Sequence, residues 1–207
     1  MNGQKTEVLT FDQPRTPWPV MLVHGIFDSS KIFRRMAVWL SKHGFRPLAP
    51  DLTPNNGATG LDELAIQLRS FADHNLPDGQ PFDLVGFSMG GLVARYYVQR
   101  LGGIERVRRL ITISAPHRGS YVAYAMGNKG VKQMRPGSVF LEDLNRDAAL
   151  LERVHFTSIW TPFDLMVVPA SSSRLGVGQG YICPIPIHSW MLRSRRSLDL
   201  TTRLLRS

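Results

Sequence analysis

The sequence predicts an α/β fold: a mostly parallel central sheet with helices on both faces. Three observations carry this. Short apolar runs alternate with amphipathic helical patterns from residue 20 to the end. The run Val20-Met21-Leu22-Val23 is apolar throughout, the mark of a strand buried on both faces. The chain has 207 residues and is 43% hydrophobic, enough for one good-sized core, so one domain over 1–207 is expected.

In chain order, Glu7 to Phe11 reads as a short strand, followed by Pro14, Pro17 and Pro19, which mark a peripheral entry. Val20–Val23 is the first core strand and runs into His24-Gly25-Ile26-Phe27-Asp28. Ser29 or Ser30 can cap a helix over about 30–43, with Phe33, Met36, Ala37 and Leu40 on one face and Gly44 as its stop. Phe45 to Ala49 reads as a strand and 53–60 as loop. Leu61, Leu64, Ala65, Leu68 and Phe71 give a second amphipathic helix. The run from Phe82 enters Gly86-Phe87-Ser88-Met89-Gly90, and a helix to about Leu101 leaves it. Val107 to Ile113 is the next strand, and 120–153 is helical in pieces. Phe156 to Trp160 is a strand, a weak one lies near Gly180 to Cys183, and a last helix covers about 194–206.

The pentapeptide Gly86-Phe87-Ser88-Met89-Gly90 is where chemistry enters. Strand, sharp turn and helix with a serine at the tip form a nucleophile elbow, whose glycines keep side chains out of a crowded backbone crossing. A glycine-rich turn with an incidental serine is the plainer reading. A serine hydroxyl needs a histidine base, and the base needs an orienting carboxylate. On this fold they follow the serine in the order acid, then base, each past a later strand. Asp164 lies four residues past Trp160, and its plainer reading is a helix cap. His188 follows Asp164 by 24 residues, whereas His117 and His155 precede it. Two backbone amides would hold an oxyanion. One is Met89, at the start of the elbow helix, and the other Ile26, in the loop after the first core strand. His24 reads as a structural loop histidine. The histidines lack metal-ligand spacing, so no metal and no cofactor is expected.

The segments Val23-His24-Gly25-Ile26, Gly86-Phe87-Ser88-Met89-Gly90-Gly91, Ala115-Pro116-His117-Arg118-Gly119-Ser120 and Thr157 to Asp164 together resemble bacterial triacylglycerol lipases of the α/β-hydrolase superfamily. The likeness is greatest to small Bacillus-type lipases, and it runs from about residue 18 to the end. It implies an α/β-hydrolase fold with little or no lid. It also implies Ser88 as nucleophile, Asp164 as acid, His188 as base, and Ile26 and Met89 as oxyanion amides. The implied chemistry is acyl transfer through an acyl-serine, then hydrolysis. Gly86 stands where that subfamily carries alanine, a difference expected to be harmless. Residues 116–154 are longer than in the smallest members. Tyr121, Val122, Tyr124, Met126 and the stretch Gly127-Asn128-Lys129-Gly130 are open to two readings, a small flap or a surface helix with a loose loop.

The functional expectation is a serine carboxylic ester hydrolase acting on small-molecule or lipid acyl esters. A thioesterase or amidase with the same triad is the alternative, and a non-catalytic binding protein a third. The net charge of +9 favours anionic partners. Transient contact with an anionic membrane surface fits, and without a nucleic-acid-binding motif no nucleic-acid partner is expected. The tail from Arg193 to Arg206 carries leucines at helical spacing and five arginines. It reads as an interfacial anchor or, preferred, as the closing helix with its apolar face on the sheet. Cys183 is the single cysteine, so no intramolecular disulfide forms. With a polar start and no membrane-length apolar run, a cytoplasmic location is expected.

Overall fold

The computed structural model describes residues 18–207; the strand expected at Glu7–Phe11 lies outside them. Six strands form one parallel sheet: β1 (Pro19–Val23), β2 (Arg46–Leu48), β3 (Phe82–Phe87), β4 (Val107–Ile113), β5 (His155–Trp160) and β6 (Gln179–Ile182). Their spatial order is β2-β1-β3-β4-β5-β6, every pair parallel. The order reverses at β1, so the β1/β3 boundary is a topological switch point. In open α/β sheets the ligand crevice lies there, beyond the carboxyl ends of the strands.

Burial follows from the topology. β1 and β3 are buried along their whole length. The edge strands β2 and β6 have exposed positions and only three and four residues, as protected sheet edges do. Side chains alternate between the faces. Met21, Val23, Leu84 and Leu110 pack in one core with α2 (Leu61–Asn75) and α3 (Met89–Arg100). Val20, Leu22, Val85 and Ile111 pack in the other with α1 (Arg34–Lys42) and α6 (Arg195–Arg206).

The expected elements lie within about a residue of their places, with a few differences. A 3-10 turn over Ser30–Phe33 precedes α1, and the Ser29 side chain makes no cap bond. The Ser30 N–H instead donates to Asp51 Oδ1 at 2.6 Å, tying the turn to the end of β2. In α6, Leu198, Leu204 and Leu205 are buried while Arg195, Arg196, Arg203 and Arg206 face solvent. The tail is therefore the closing helix, and its apolar face is already used. Residues 121–153 carry two short helices, α4 (Lys129–Gln133) and α5 (Val139–Arg146), between 3-10 turns.

Candidate active site

Three non-glycine residues among those described have left-handed backbones: Phe27 (φ 60°), Ser88 (φ 53°) and Ser114 (φ 48°). Each sits just past the carboxyl end of β1, β3 or β4. Such conformations are strained for residues with a side chain and cluster at functional sites. At Ser88 the strain has a visible origin. Gly86 and Gly91 bring β3 and α3 together so tightly that a Cβ on Gly86 would lie 2.6 Å from Gly91 Cα and 2.7 Å from Gly90 O. A side chain at 86 would meet backbone that cannot swing away, so the glycine that replaces the subfamily's alanine suits this crossing.

Ser88 is half-buried at the mouth of an apolar pocket. Val122, Ala123, Met126, Val131, Met134 and Val167 form much of its wall. The segment over 120–134, open to two sequence readings, is thus a pocket wall. It is held by its ends. Ser120 Oγ donates to Met166 O at 2.9 Å and accepts from Val168 N at 3.0 Å. The Arg135 guanidinium donates to Ala123 O at 3.2 Å and Met126 O at 2.8 Å and lies over the Tyr124 ring.

Asp164 and His188 meet across the loops after β5 and β6. His188 Nδ1 and Asp164 Oδ2 are 2.7 Å apart. The other carboxylate oxygen, Oδ1, accepts from Met166 N at 2.9 Å and Val167 N at 3.0 Å. The cap and the histidine partner expected of Asp164 are both present, one on each oxygen. Burial pushes the Asp164 carboxyl up, but the hydrogen bonds from His188 and the two amides outweigh it and hold it below the usual carboxylate value. The His188 ring packs on Phe87, centroids 4.7 Å apart, beside Ser88. No hydrogen bond joins Ser88 to His188 among the described residues.

Ile26 and Met89 flank Ser88 from β1 and α3. Neither N–H meets a hydrogen-bond acceptor among the described residues. Met89 opens α3, where the first N–H groups have no helical partner and the dipole is positive. The loop bearing Ile26 is fixed at both ends. Asn55 accepts from Phe27 N at 2.8 Å and donates to Asp28 O at 2.5 Å. His24 is fully buried, with Nδ1 2.9 Å from Gly25 O and Nε2 accepting from Leu52 N at 2.9 Å. Both ring nitrogens are engaged, as suits a structural histidine.

Other groups near the site carried little sign in the sequence. A Cβ on Gly25 would lie 3.1 Å from Ser88 Cβ and 3.2 Å from Asp28 Oδ2, so Ser88 and Asp28 flank one glycine. Burial raises the Asp28 carboxyl, against the opposing pull of His24, His188 and Arg193. His117 is fully buried, 2.9 Å from Thr112 Oγ1, and burial together with the Arg95 charge pushes it well below the usual value. Arg95 is itself fully buried, donating to Gln99, Leu144 O and Asn145, and burial draws it down to about 9. This pair braces α3 against α5 rather than serving the crevice.

Comparison with solved structures fixes the class. The mature form of the Bacillus licheniformis lipase BlEst2 superposes with a TM-score of 0.75 over 93% of each chain at 18% identity. The fold is that of the α/β-hydrolases, and at this identity the likeness to a Bacillus lipase is one of fold. Sequence goes further: residues 19–161 match the model of the palmitoyl protein thioesterase family, and the chain belongs to that family. Among curated relatives, the human "Lysosomal thioesterase PPT2" is 30% identical over 107 residues, 50% of this chain and 35% of that one. The "Triacylglycerol lipase" of Pseudarthrobacter phenanthrenivorans is 29% identical over 116 residues, 52% of this chain and 36% of that one. The matched stretches thus span about a third of each relative's own length. No helix among the described residues is long and apolar enough to cross a membrane.

Proposed function

We propose that the protein hydrolyses esters of apolar acyl groups, oxygen esters or thioesters, through an acyl-serine intermediate. The observation that carries the reading is a strained serine at the mouth of an apolar pocket, beside a hydrogen-bonded Asp–His pair. In this reading Ser88 Oγ attacks the acyl carbonyl and its proton passes to His188 Nε2. Asp164 fixes the ring so that Nδ1 carries a proton and Nε2 offers its lone pair. The Ile26 and Met89 amides, unspent on other acceptors, take the oxyanion. The bond to the leaving group breaks, and His188 returns the proton to the departing alkoxide or thiolate. Water, deprotonated by His188, then releases the fatty acid and restores Ser88. The Ser88–His188 hydrogen bond is expected to form when substrate is bound, as catalytic hydrogen bonds often do.

The pocket wall supports the substrate class. Methionine and valine side chains bind methylene chains by burial alone, about 0.8 kcal/mol for each CH₂, and Met126, Met134 and Met166 adapt to chain shape. Membership of a thioesterase family favours thioesters beside oxygen esters. A panel of p-nitrophenyl esters and acyl thioesters of rising chain length, with Ser88→Ala as control, tests this. Rising kcat/KM with chain length, abolished in Ser88→Ala, is expected. Activity that ignores chain length, or that survives in Ser88→Ala, contradicts it.

A further inference from the structure

Helices that follow strands of this sheet begin at its carboxyl edge, the edge that carries Ser88. The start of α1 and the turn before α6 therefore share a shoulder beside the crevice. Lys31, Arg34, Arg35 and Arg193 line an open groove of about 460 Å³ there, with Ile32 and Val38. No carboxylate lines it. None of the four cations is in an ion pair among the described residues. Arg193 and Lys31 feel the carboxylates of Asp28 and Asp51 at longer range, yet none of the four is bonded to one, and cations around a concave surface are a site for phosphate-type anions.

The same edge is apolar at its loop tips. Phe27, Tyr121, Tyr124, Leu165, Ile187 and Trp190 are 43–80% exposed and lie in the loops after β1, β4, β5 and β6. Phe27 also lines the pocket of Ser88. Exposed large apolar groups gathered around one opening mark an interaction surface, and aromatic tips flanked by cations match the headgroup zone of a bilayer.

We propose that this edge docks on a membrane surface containing anionic lipid. The groove takes the headgroup phosphates, the loop tips enter the headgroup–acyl boundary, and the pocket opens onto the acyl chains. The docking rests on the hydrolase reading only for its purpose, not for its chemistry. Charge complementarity selects the occupant: a neutral bilayer would use the tips and leave four cations idle, and an acidic protein surface would leave the apolar tips unburied. The contact lies at this edge and not on α6, whose leucines are inside the fold.

The test uses the 207-residue chain carrying Ser88→Ala, co-sedimented with phosphatidylcholine vesicles with and without phosphatidylglycerol. Strong binding only to the anionic vesicles is expected, weakening as salt is raised. Removing surface cations weakens such binding about fivefold each, so Arg34→Gln with Arg35→Gln lowers it about 25-fold. Both arginines are exposed and outside the pocket, and the same pair in the active chain leaves hydrolysis of a soluble short ester unchanged. Trp190 emission shifts to shorter wavelength on anionic vesicles, and Trp190→Phe removes that shift. Equal binding to neutral vesicles, or full binding by the arginine pair, overturns the proposal. So does retention on heparin without vesicle binding, which assigns the groove to a polyanion. Vesicle binding as expected in a chain with no hydrolytic activity refutes the hydrolase reading and leaves the docking standing.

Discussion

Asp164→Asn isolates the part of the site that orients the base. Asp164 accepts three hydrogen bonds: His188 Nδ1 at 2.7 Å on Oδ2, and Met166 N and Val167 N on Oδ1. Asparagine keeps the volume, and its single oxygen stays with the two amides, because they are donors. Its NH₂ then falls where Oδ2 was and faces Nδ1. Two donors cannot bond, so the imidazole must carry its proton on Nε2, the nitrogen that should receive the serine proton. In the Ser-His-Asp template this exchange lowers kcat by about 10⁴, or about 5.5 kcal/mol at 1.36 kcal/mol per decade. KM changes little, since the pocket wall is untouched. The fold survives, because the amide bonds and the packing remain. The assay is steady-state hydrolysis of a p-nitrophenyl ester and an acyl thioester, with circular dichroism as the check on folding. A loss under about tenfold in a folded variant would refute the assignment of Asp164 as the orienting acid.

Other consequences are equally direct. Gly86→Ala places a Cβ 2.6 Å from Gly91 Cα and should cost about 1–3 kcal/mol, as overpacking does, read as a lowered Tm with reduced kcat; an unchanged Tm contradicts the crossing described. Ala123→Phe fills space at a buried position of the pocket wall. Excluding about two methylenes, at about 0.8 kcal/mol each, lowers kcat/KM about 15-fold on long acyl chains and spares acetate esters; equal losses on both refute the pocket. The carboxyls near His188 shift in opposite directions, so their pH effects oppose. Asp164 lies below its unfolded value, so its contribution to stability is present above about pH 4 and lost as pH falls through the folded value. The stability gap between parent and Asp164→Asn should close in acid. Asp28 lies above its unfolded value, so stability is lost as pH rises through the folded value. Asp28→Asn should raise Tm at neutral pH and not in acid, and a reversed order in thermal melts contradicts both assignments.

The strands were legible because burial on both faces writes an unbroken apolar run, as in β1, and because Gly44, with φ 87°, ends α1 where the chain must turn. The order Ser88, Asp164, His188 was legible because each residue lies just past a strand, a position set by topology rather than by local pattern. Asp164 was ambiguous for a physical reason: a carboxylate has two oxygens, and here one caps a turn while the other meets a histidine. The pocket wall was not legible. Val131 and Met134 come from a short helix and the residue that follows it, with no periodicity to read, held by the hydrogen bonds of Ser120 and Arg135 with backbone carbonyls. Arg95 was hidden too. A charged residue on a helix reads as solvated, yet α3 is buried nearly all round, and oxygens of Gln99 and, unseen in sequence, of Leu144 and Asn145 on α5 make that tolerable. Why glycine stands at 86 was not legible either, because a resemblance compares residue types, whereas the cost of a methyl group is fixed by how closely Gly90 and Gly91 approach.

The central claim is that Ser88 is the nucleophile. Labelling the native protein with a fluorophosphonate and mapping the adduct by mass spectrometry tests it most directly. A single adduct on the peptide containing Ser88, absent from Ser88→Ala and strongly slowed in His188→Ala, is the predicted result. A native chain that stays unlabelled, or one labelled at another residue, would contradict it.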